Sequence, residues 1–267
     1  MTTTLNLANR HPIAYSSAKR KEFDVITRIA HAAETENFRN VLQQHDKDII
    51  AVTKHHLRLG PSDTCRLQPQ WITGGFNVCI PIQVTGSFNK RLLLRCPLPH
   101  MHAEPHYPGT VDENMRGEVG AYAWMQESCP DIRIPRLYGF GFSNNTDFTH
   151  ESRLGIHVRL WRRVRRALYR ILRYPALARF APNPLRHDLP TAYMVMEYVG
   201  SEVGQTLSDT WDQQREDPAH LETLCRSMAR IMLAVSRVPQ PRIGSFRFND
   251  DGTITLANRP LNRLWQT

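Results

Sequence analysis

Two glycine-bearing breaks, Thr73-Gly74-Gly75 and Gly86-Ser87-Phe88-Asn89, divide residues 67–96 into short β-prone runs, and no other feature constrains the fold of this chain as strongly. The runs are 67–72, 76–85 and 91–96. They predict a three-stranded antiparallel meander. Past a Pro/His-rich stretch at 97–109, Met115, Val119, Tyr122, Ala123 and Gln126 recur at helical steps, so a helix over 113–128 follows the third strand. The run 134–142 reads as a fourth strand, and the apolar, β-prone run 192–199 as a fifth, buried one.

Between the fourth and fifth runs lies an insertion of about fifty residues, far above the usual loop length, so it should carry structure of its own. Within it, 157–174 sets Leu160, Trp161, Val164, Leu168, Ile171 and Leu172 on one helical face. Arg159, Arg162, Arg163, Arg166, Arg170 and Arg173 take the other, which makes a basic amphipathic helix. Two readings of this segment stand side by side. Its apolar face packs on the protein, as is usual for a surface helix, or it meets an anionic membrane surface or an acidic protein.

Two further helices are predicted. One spans 22–42, with Phe23, Ile26, Ile29, Ala30, Ala33 and Phe38 facing the body, and the other spans 218–238 and is closed by Pro239 and Pro241. A hairpin over 247–256 follows, turning at Asp250-Asp251-Gly252.

Composition narrows the class. With 41% apolar and 22% charged residues in 267, the chain suits one large domain or a two-lobed body, and disordered or collagen-like architectures drop out. The net charge of +9 raises nucleic-acid binding, but the excess sits between Arg153 and Arg179 and no nucleic-acid motif accompanies it, so no specific nucleic acid is expected. Five cysteines without a Cys-x-x-Cys pair point to reduced, mostly buried thiols. The polar start, Met1 to Tyr15, lacks the apolar core of a signal peptide, and no apolar run reaches the roughly 18 residues of a membrane span. A cytoplasmic location is the expectation.

Three strands with a glycine turn between the first two, a basic residue on the third, a helix with a glutamate, two more strands and an acidic hinge follow the order of a kinase small lobe. Glycine lets backbone N–H groups close over phosphates, a cation on the third strand neutralises them, and the glutamate holds that cation. The wording of Gly74-Gly75-Phe76-Asn77, Leu93-Leu94-Arg95-Cys96-Pro97, Gly117-Glu118-Val119 and Ile134-Pro135-Arg136-Leu137-Tyr138-Gly139 narrows the likeness. Met196-Glu197-Tyr198-Val199-Gly200, Ile243-Gly244-Ser245-Phe246 and Asn258-Arg259-Pro260-Leu261 extend it. In this order the chain, over about residues 65–261, resembles the aminoglycoside phosphotransferase and choline kinase-like family, particularly its fungal branch.

The resemblance implies an α+β, protein kinase-like fold, with a five-stranded antiparallel small lobe and its helix, followed by an incomplete helical large lobe. Residues 1–64 would form a helical extension. Residues 65–199 would form the small lobe, with the basic insertion at about 150–186, and residues 200–267 the hinge and the start of the large lobe. It also implies ATP as the cofactor, with phosphoryl transfer to a small-molecule hydroxyl. Gly74, Gly75, Phe76 and Asn77 would cover the phosphates, Arg95 would contact them and Glu118 would orient Arg95. Glu197, Tyr198 and Val199 would seat the adenine.

Arg95 stands where most kinases place lysine. The family's His-x-Asp-x-x-x-x-Asn loop and later Mg²⁺-binding aspartate are absent from the 267 residues, so no catalytic residue and no metal ligand is assigned, and this chain alone is expected to be inactive. Arg186-His187-Asp188 imitates such a loop but precedes the hinge, and Asp251-Gly252 reads as a turn. The alternative is a non-catalytic nucleotide-binding or scaffold protein that uses the basic helix.

Plainer readings accompany each site. Gly74-Gly75 can be a hairpin turn that satisfies positive φ, Arg95–Glu118 a surface ion pair, and His100, His102 and His106 solvated side chains on an extended loop.

Overall fold

The computed structural model describes residues 4–5, 13–19 and 25–257. In chain order it contains β1 (Thr4–Leu5), β2 (Ile13–Ala14), α1 (Tyr15–Ala18), α2 (Val25–Gln44) and α3 (Asp46–Leu57). The meander follows as β3 (Thr64–Leu67), β4 (Ile72–Thr73), β5 (Asn77–Thr85) and β6 (Lys90–Pro97). Then α4 (Thr110–Ser128) leads to β7 (Leu137–Gly141). The insertion holds β8 (Asp147–His150), α5 (Ile156–Ile171), β9 (Ala176–Leu177) and β10 (Phe180–Pro182). After it come β11 (Tyr193–Glu197), α6 (Leu207–Gln214), α7 (Pro218–Ser236), β12 (Ser245–Phe248) and β13 (Thr253–Ala257).

The result is an α+β body whose described strands pair antiparallel. The main sheet runs β10-β8-β7-β11-β6-β5-β3, with β4 also paired to β5. It has eight strands where the sequence predicts five, for two reasons. The first predicted run is split into β3 and β4 by Gln68-Pro69-Gln70-Trp71, because Pro69 supplies no N–H for a ladder. The insertion also adds β8 and β10 to the sheet beyond β7, with Phe180 opposite His150 and Gly139 opposite Thr149.

The alternating pattern of β5 and β6 sends side chains to two cores. One side holds Ile80, Ile82, Leu92, Leu94 and Cys96 with Leu42, Ile49, Val52 and Leu57 from α2 and α3. The other holds Phe140, Phe148, Met194 and Met196 with Val111, Met115, Val119 and Ala123 of α4. Helix α3, which the sequence reading left unassigned, is thus part of the body, with Asp46 and Asp48 in its first turn and Lys54 in its last, as the helix dipole favours. The predicted helix at 22–42 is α2, with residues 22–24 lying outside the described residues.

The C-terminal hairpin, expected at the start of a large lobe, packs against α4 and the insertion. Phe248 enters the α4 core, Trp124 and Phe246 stack with centroids 4.6 Å apart, and β13 pairs with β9 of the insertion. A Cβ on Gly120 would sit 3.0 Å from the Phe248 nitrogen, so glycine lets the hairpin backbone lie directly on α4. Arg116 of α4 holds Asp250 at 2.8 Å, and Gly252 has φ +81 in the predicted turn. Asp251 Oδ1 accepts from the Thr253 N–H and hydroxyl, so that carboxylate is spent on the turn.

Helices α6 and α7 are exposed along nearly their whole length, and α7 presents Met228, Ile231, Met232 and Leu233 to solvent. Among the described residues no helix is long and apolar enough to cross a membrane.

Candidate functional site

The strand order sets the site. β11, whose end is the predicted hinge, lies beside β6, which bears Arg95. Met194 stands opposite Arg95 and Glu197 opposite Leu92. Three residues of strand therefore separate Arg95 from the hinge, about 10 Å. Arg95 lies on the side of the sheet that α4 covers, and its Nη2 meets both carboxylate oxygens of Glu118, at 3.2 and 3.1 Å. Both side chains are partly exposed. The Nε and Nη1 donors of Arg95 have no protein partner among the described residues, so the guanidinium can bind Glu118 and an anion together.

Gly74, Gly75 and Phe76 form the loop between β4 and β5, and Asn77 opens β5; the Gly74 N–H donates to the Asn77 carbonyl at 2.9 Å and closes the loop. Neither glycine has positive φ, so left-handed geometry does not explain them. Nor does crowding: a Cβ on Gly75 would meet nothing within 4 Å, and one on Gly74 only the Asn77 carbonyl at 3.7 Å, so the protein leaves room for a side chain at both positions and the backbone stays open to approach. The Phe76 carbonyl accepts from Leu98, and the Phe76 ring packs against His102.

At the hinge, two of the three predicted N–H groups are already used by the sheet. Glu197 N–H donates to the Arg136 carbonyl at 2.8 Å and Tyr198 N–H to the Arg91 carbonyl at 3.4 Å. Only the Val199 N–H lacks a protein acceptor among the described residues, and Val199 itself is exposed. The Glu197 carboxylate faces Lys90 at 3.8 Å and the Arg136 N–H at 3.3 Å.

Sequence reasoning missed Arg91, whose guanidinium lies 4.0 Å over the Tyr198 ring. Its signal was present: Arg91 and Arg95 are four residues apart on one strand and so share a face. Cys79, opposite Arg95, was also missed, and burial pushes its thiol pKa up. The site thus offers two arginines on one face, an open glycine loop and one unpaired hinge donor.

Several other candidates are structural. His100 is not solvated: its ring packs against His31 and meets Glu34 at 3.6 Å and Thr35 at 3.2 Å, and Pro99–His102 is a 3-10 turn instead of extended chain. Glu104 accepts from the Gly109 and Val111 N–H groups, capping α4. His187, of the Arg186-His187-Asp188 run, is buried and contacts Asp147 at 3.3 Å. Among the described residues, no group of three or more His, Cys, Asp or Glu could hold a metal ion.

Asp147 and His187 belong to a buried polar chain with His56, Thr149, Asn183 and Tyr193. One placement of protons satisfies it. The Tyr193 hydroxyl donates to Asp147 Oδ1 at 2.8 Å and accepts from His56 Nε2 at 2.9 Å. Thr149 donates to His56 Nδ1 at 2.7 Å and accepts from Asn183 at 2.9 Å. Burial lowers the His56 pKa to about 3, outweighing the attraction of Asp147 and keeping the ring neutral. Burial would raise the Asp147 pKa, but hydrogen bonds from His187, the Leu185 N–H and Tyr193 hold it below the ordinary value. A Cβ at Gly139 would fall 2.4 Å from His56 Nδ1, and one at Gly141 2.2 Å from Asp147 Oδ1, so both glycines of β7 make room for this chain.

Two cavities lie away from the arginine site. One, of about 580 Å³, is lined by Trp124, Phe246, Tyr174 and Pro239, and the other, of about 660 Å³, by Lys54, Arg58 and His157.

No family model, curated protein or solved structure matches this chain.

Proposed function

We propose that this chain is a nucleotide-binding small lobe of the protein kinase-like kind, related to the aminoglycoside phosphotransferases, whose ligand is ATP. The observation that carries the reading is the Arg95–Glu118 pair at 3.1 Å on the strand next to the hinge strand. That pair is what a phosphate-neutralising cation and its orienting carboxylate require. Support also comes from the open backbone at Gly74-Gly75 and from the unpaired Val199 N–H, which suits a single acceptor on a purine edge. In this reading Arg95 and the loop take the phosphates, and the hinge takes the base. Glu118 positions Arg95, and Arg91 braces Tyr198.

The residues described do not by themselves make a Mg²⁺ site, and the 267 residues contain no His-x-Asp-x-x-x-x-Asn run. Binding without turnover is therefore the property proposed for them, while the phosphate acceptor would be chosen by residues outside this site.

Isothermal titration of the 267-residue chain with ATP tests the reading. Arg95→Ala should weaken binding roughly tenfold or more through the loss of a charge-assisted contact, whereas Arg95→Lys retains most of it. Val199→Pro, which removes the hinge N–H, should weaken it by about fivefold to tenfold. Absence of binding at millimolar ATP, or equal affinity of wild type and Arg95→Ala with both folded, would sink the proposal.

A further inference from the structure

The amphipathic helix of the insertion sits on the body the wrong way round for an ordinary surface helix. Helix α5 turns arginine inward: Arg162 is 4% exposed and donates to the Ala178 and Phe180 carbonyls at 2.5 and 2.7 Å. Arg166 makes a two-point contact with Glu151 at 2.5 and 2.8 Å. Its apolar side is left in solvent. Ile156, Leu160, Trp161, Val164, Leu168 and Ile171 form one stripe, with Trp161 66% and Ile171 74% exposed.

We propose that α5 seats the protein on an anionic lipid bilayer, its apolar stripe lying in the boundary between headgroups and acyl chains. The inference stands apart from nucleotide binding and uses none of those residues. Charge complementarity chooses the occupant. The helix holds six arginines and no aspartate or glutamate. At about 100° per residue, Arg163 and Arg170 border one edge of the stripe and Arg165 the other, where long side chains can reach phosphates while the stripe is immersed.

The cation field continues past the N-terminal end of the helix. The 660 Å³ cavity there is lined by Lys54, Arg58 and His157 and by no acidic residue, which suits an anionic headgroup. A second copy of the chain fits poorly, because a two-fold contact through α5 would bring arginine rims together with no carboxylate on the helix to pair them. The sixteen residues make a rod of about 24 Å, suited to lying in the interface plane.

Flotation of the 267-residue chain with phosphatidylcholine vesicles, alone or mixed with phosphatidylserine, tests this. Binding is expected only with the anionic vesicles and should fall as salt is raised. The double variant Leu160→Ser, Leu168→Ser should lower affinity roughly a hundredfold, and Arg163→Gln with Arg170→Gln roughly tenfold or more. All four positions are on the outward side, so thermal melting should be unchanged. Met228→Ser with Met232→Ser on α7 should leave binding intact. Brominated lipid should quench fluorescence in the wild type and much less in Trp161→Phe. The proposal is overturned by equal binding to neutral vesicles, by no binding, by binding that depends on α7 and not α5, or by an α5-dependent dimer in sedimentation.

Discussion

Helices α4 and α5 both read as amphipathic, yet they pack on the body with opposite sides inward. Helix α4 buries Val111, Met115, Val119 and Ala123 against the phenylalanines of β7 and β8. Helix α5 buries Arg162 and half-buries Arg166, and shows its leucines. The difference lies in what each floor offers. Under α4 the sheet presents Phe140 and Phe148, an apolar surface that repays apolar burial. Under α5 the chain ends of β9 and β10 present the Ala178 and Phe180 carbonyls, and Glu151 presents a carboxylate, which only donors can satisfy. Amphipathicity makes the helix; the partner surface decides which side it hides.

The contrast is sharpest in cavity-forming changes. Met115→Ala should cost about 2–5 kcal/mol, whereas Leu160→Ala on α5 should stay within about 0.5 kcal/mol, as measured by urea unfolding. Equal losses would mean that the α5 stripe is packed after all. The mirror experiment exchanges the arginines. Arg162→Met strands two buried carbonyls and should cost about 1–3 kcal/mol, while Arg163→Met, on the exposed side, should cost nothing measurable in the same assay.

A third kind of packing, the polar chain between α3 and the sheet, should separate itself from both by pH. His56 falls from an ordinary 6.5 to about 3 in the fold, and burial lowers His150 to about 4. Because the unfolded chain binds these protons more readily, the stability they contribute is complete above about pH 6.5 and is lost as pH falls toward 3. Melting temperatures measured across that window should decline with acid, and a flat profile would contradict a neutral, buried His56. A small effect is expected at Arg95. Its pair with Glu118 is partly exposed, so Arg95→Ala should change stability by less than about 1 kcal/mol in urea unfolding. A larger loss would make the pair a structural element instead of a ligand site.

The juxtaposition at the candidate site was partly legible as a string. Glycines 74 and 75, Arg95, Glu118 and the 197–199 segment were each marked by residue type and order, and the structure brings Arg95 into contact with Glu118 and places its strand beside β11. The Arg91–Tyr198 stack was not named, although strand periodicity contained it. The spent donors of Glu197 and Tyr198 were invisible, because they depend on which strands flank β11. His100 and His187 read as solvated or as an imitation of catalysis; His100 became a partly buried partner of Glu34, and His187 a buried partner of Asp147, only once distant segments met.

What the amino-acid order determined by itself is local: where strands turn at glycine, which runs are helical, and that 157–174 would be apolar on one side and basic on the other. Such features follow from backbone sterics and periodicity within a few residues. Tertiary structure alone decided that the insertion would extend the sheet, that the terminal hairpin would join the α4 core, and that α5 would hide its arginines. Each of those outcomes turns on whether a remote surface offers apolar area or unpaired carbonyls, and that is settled only when the segments are brought together.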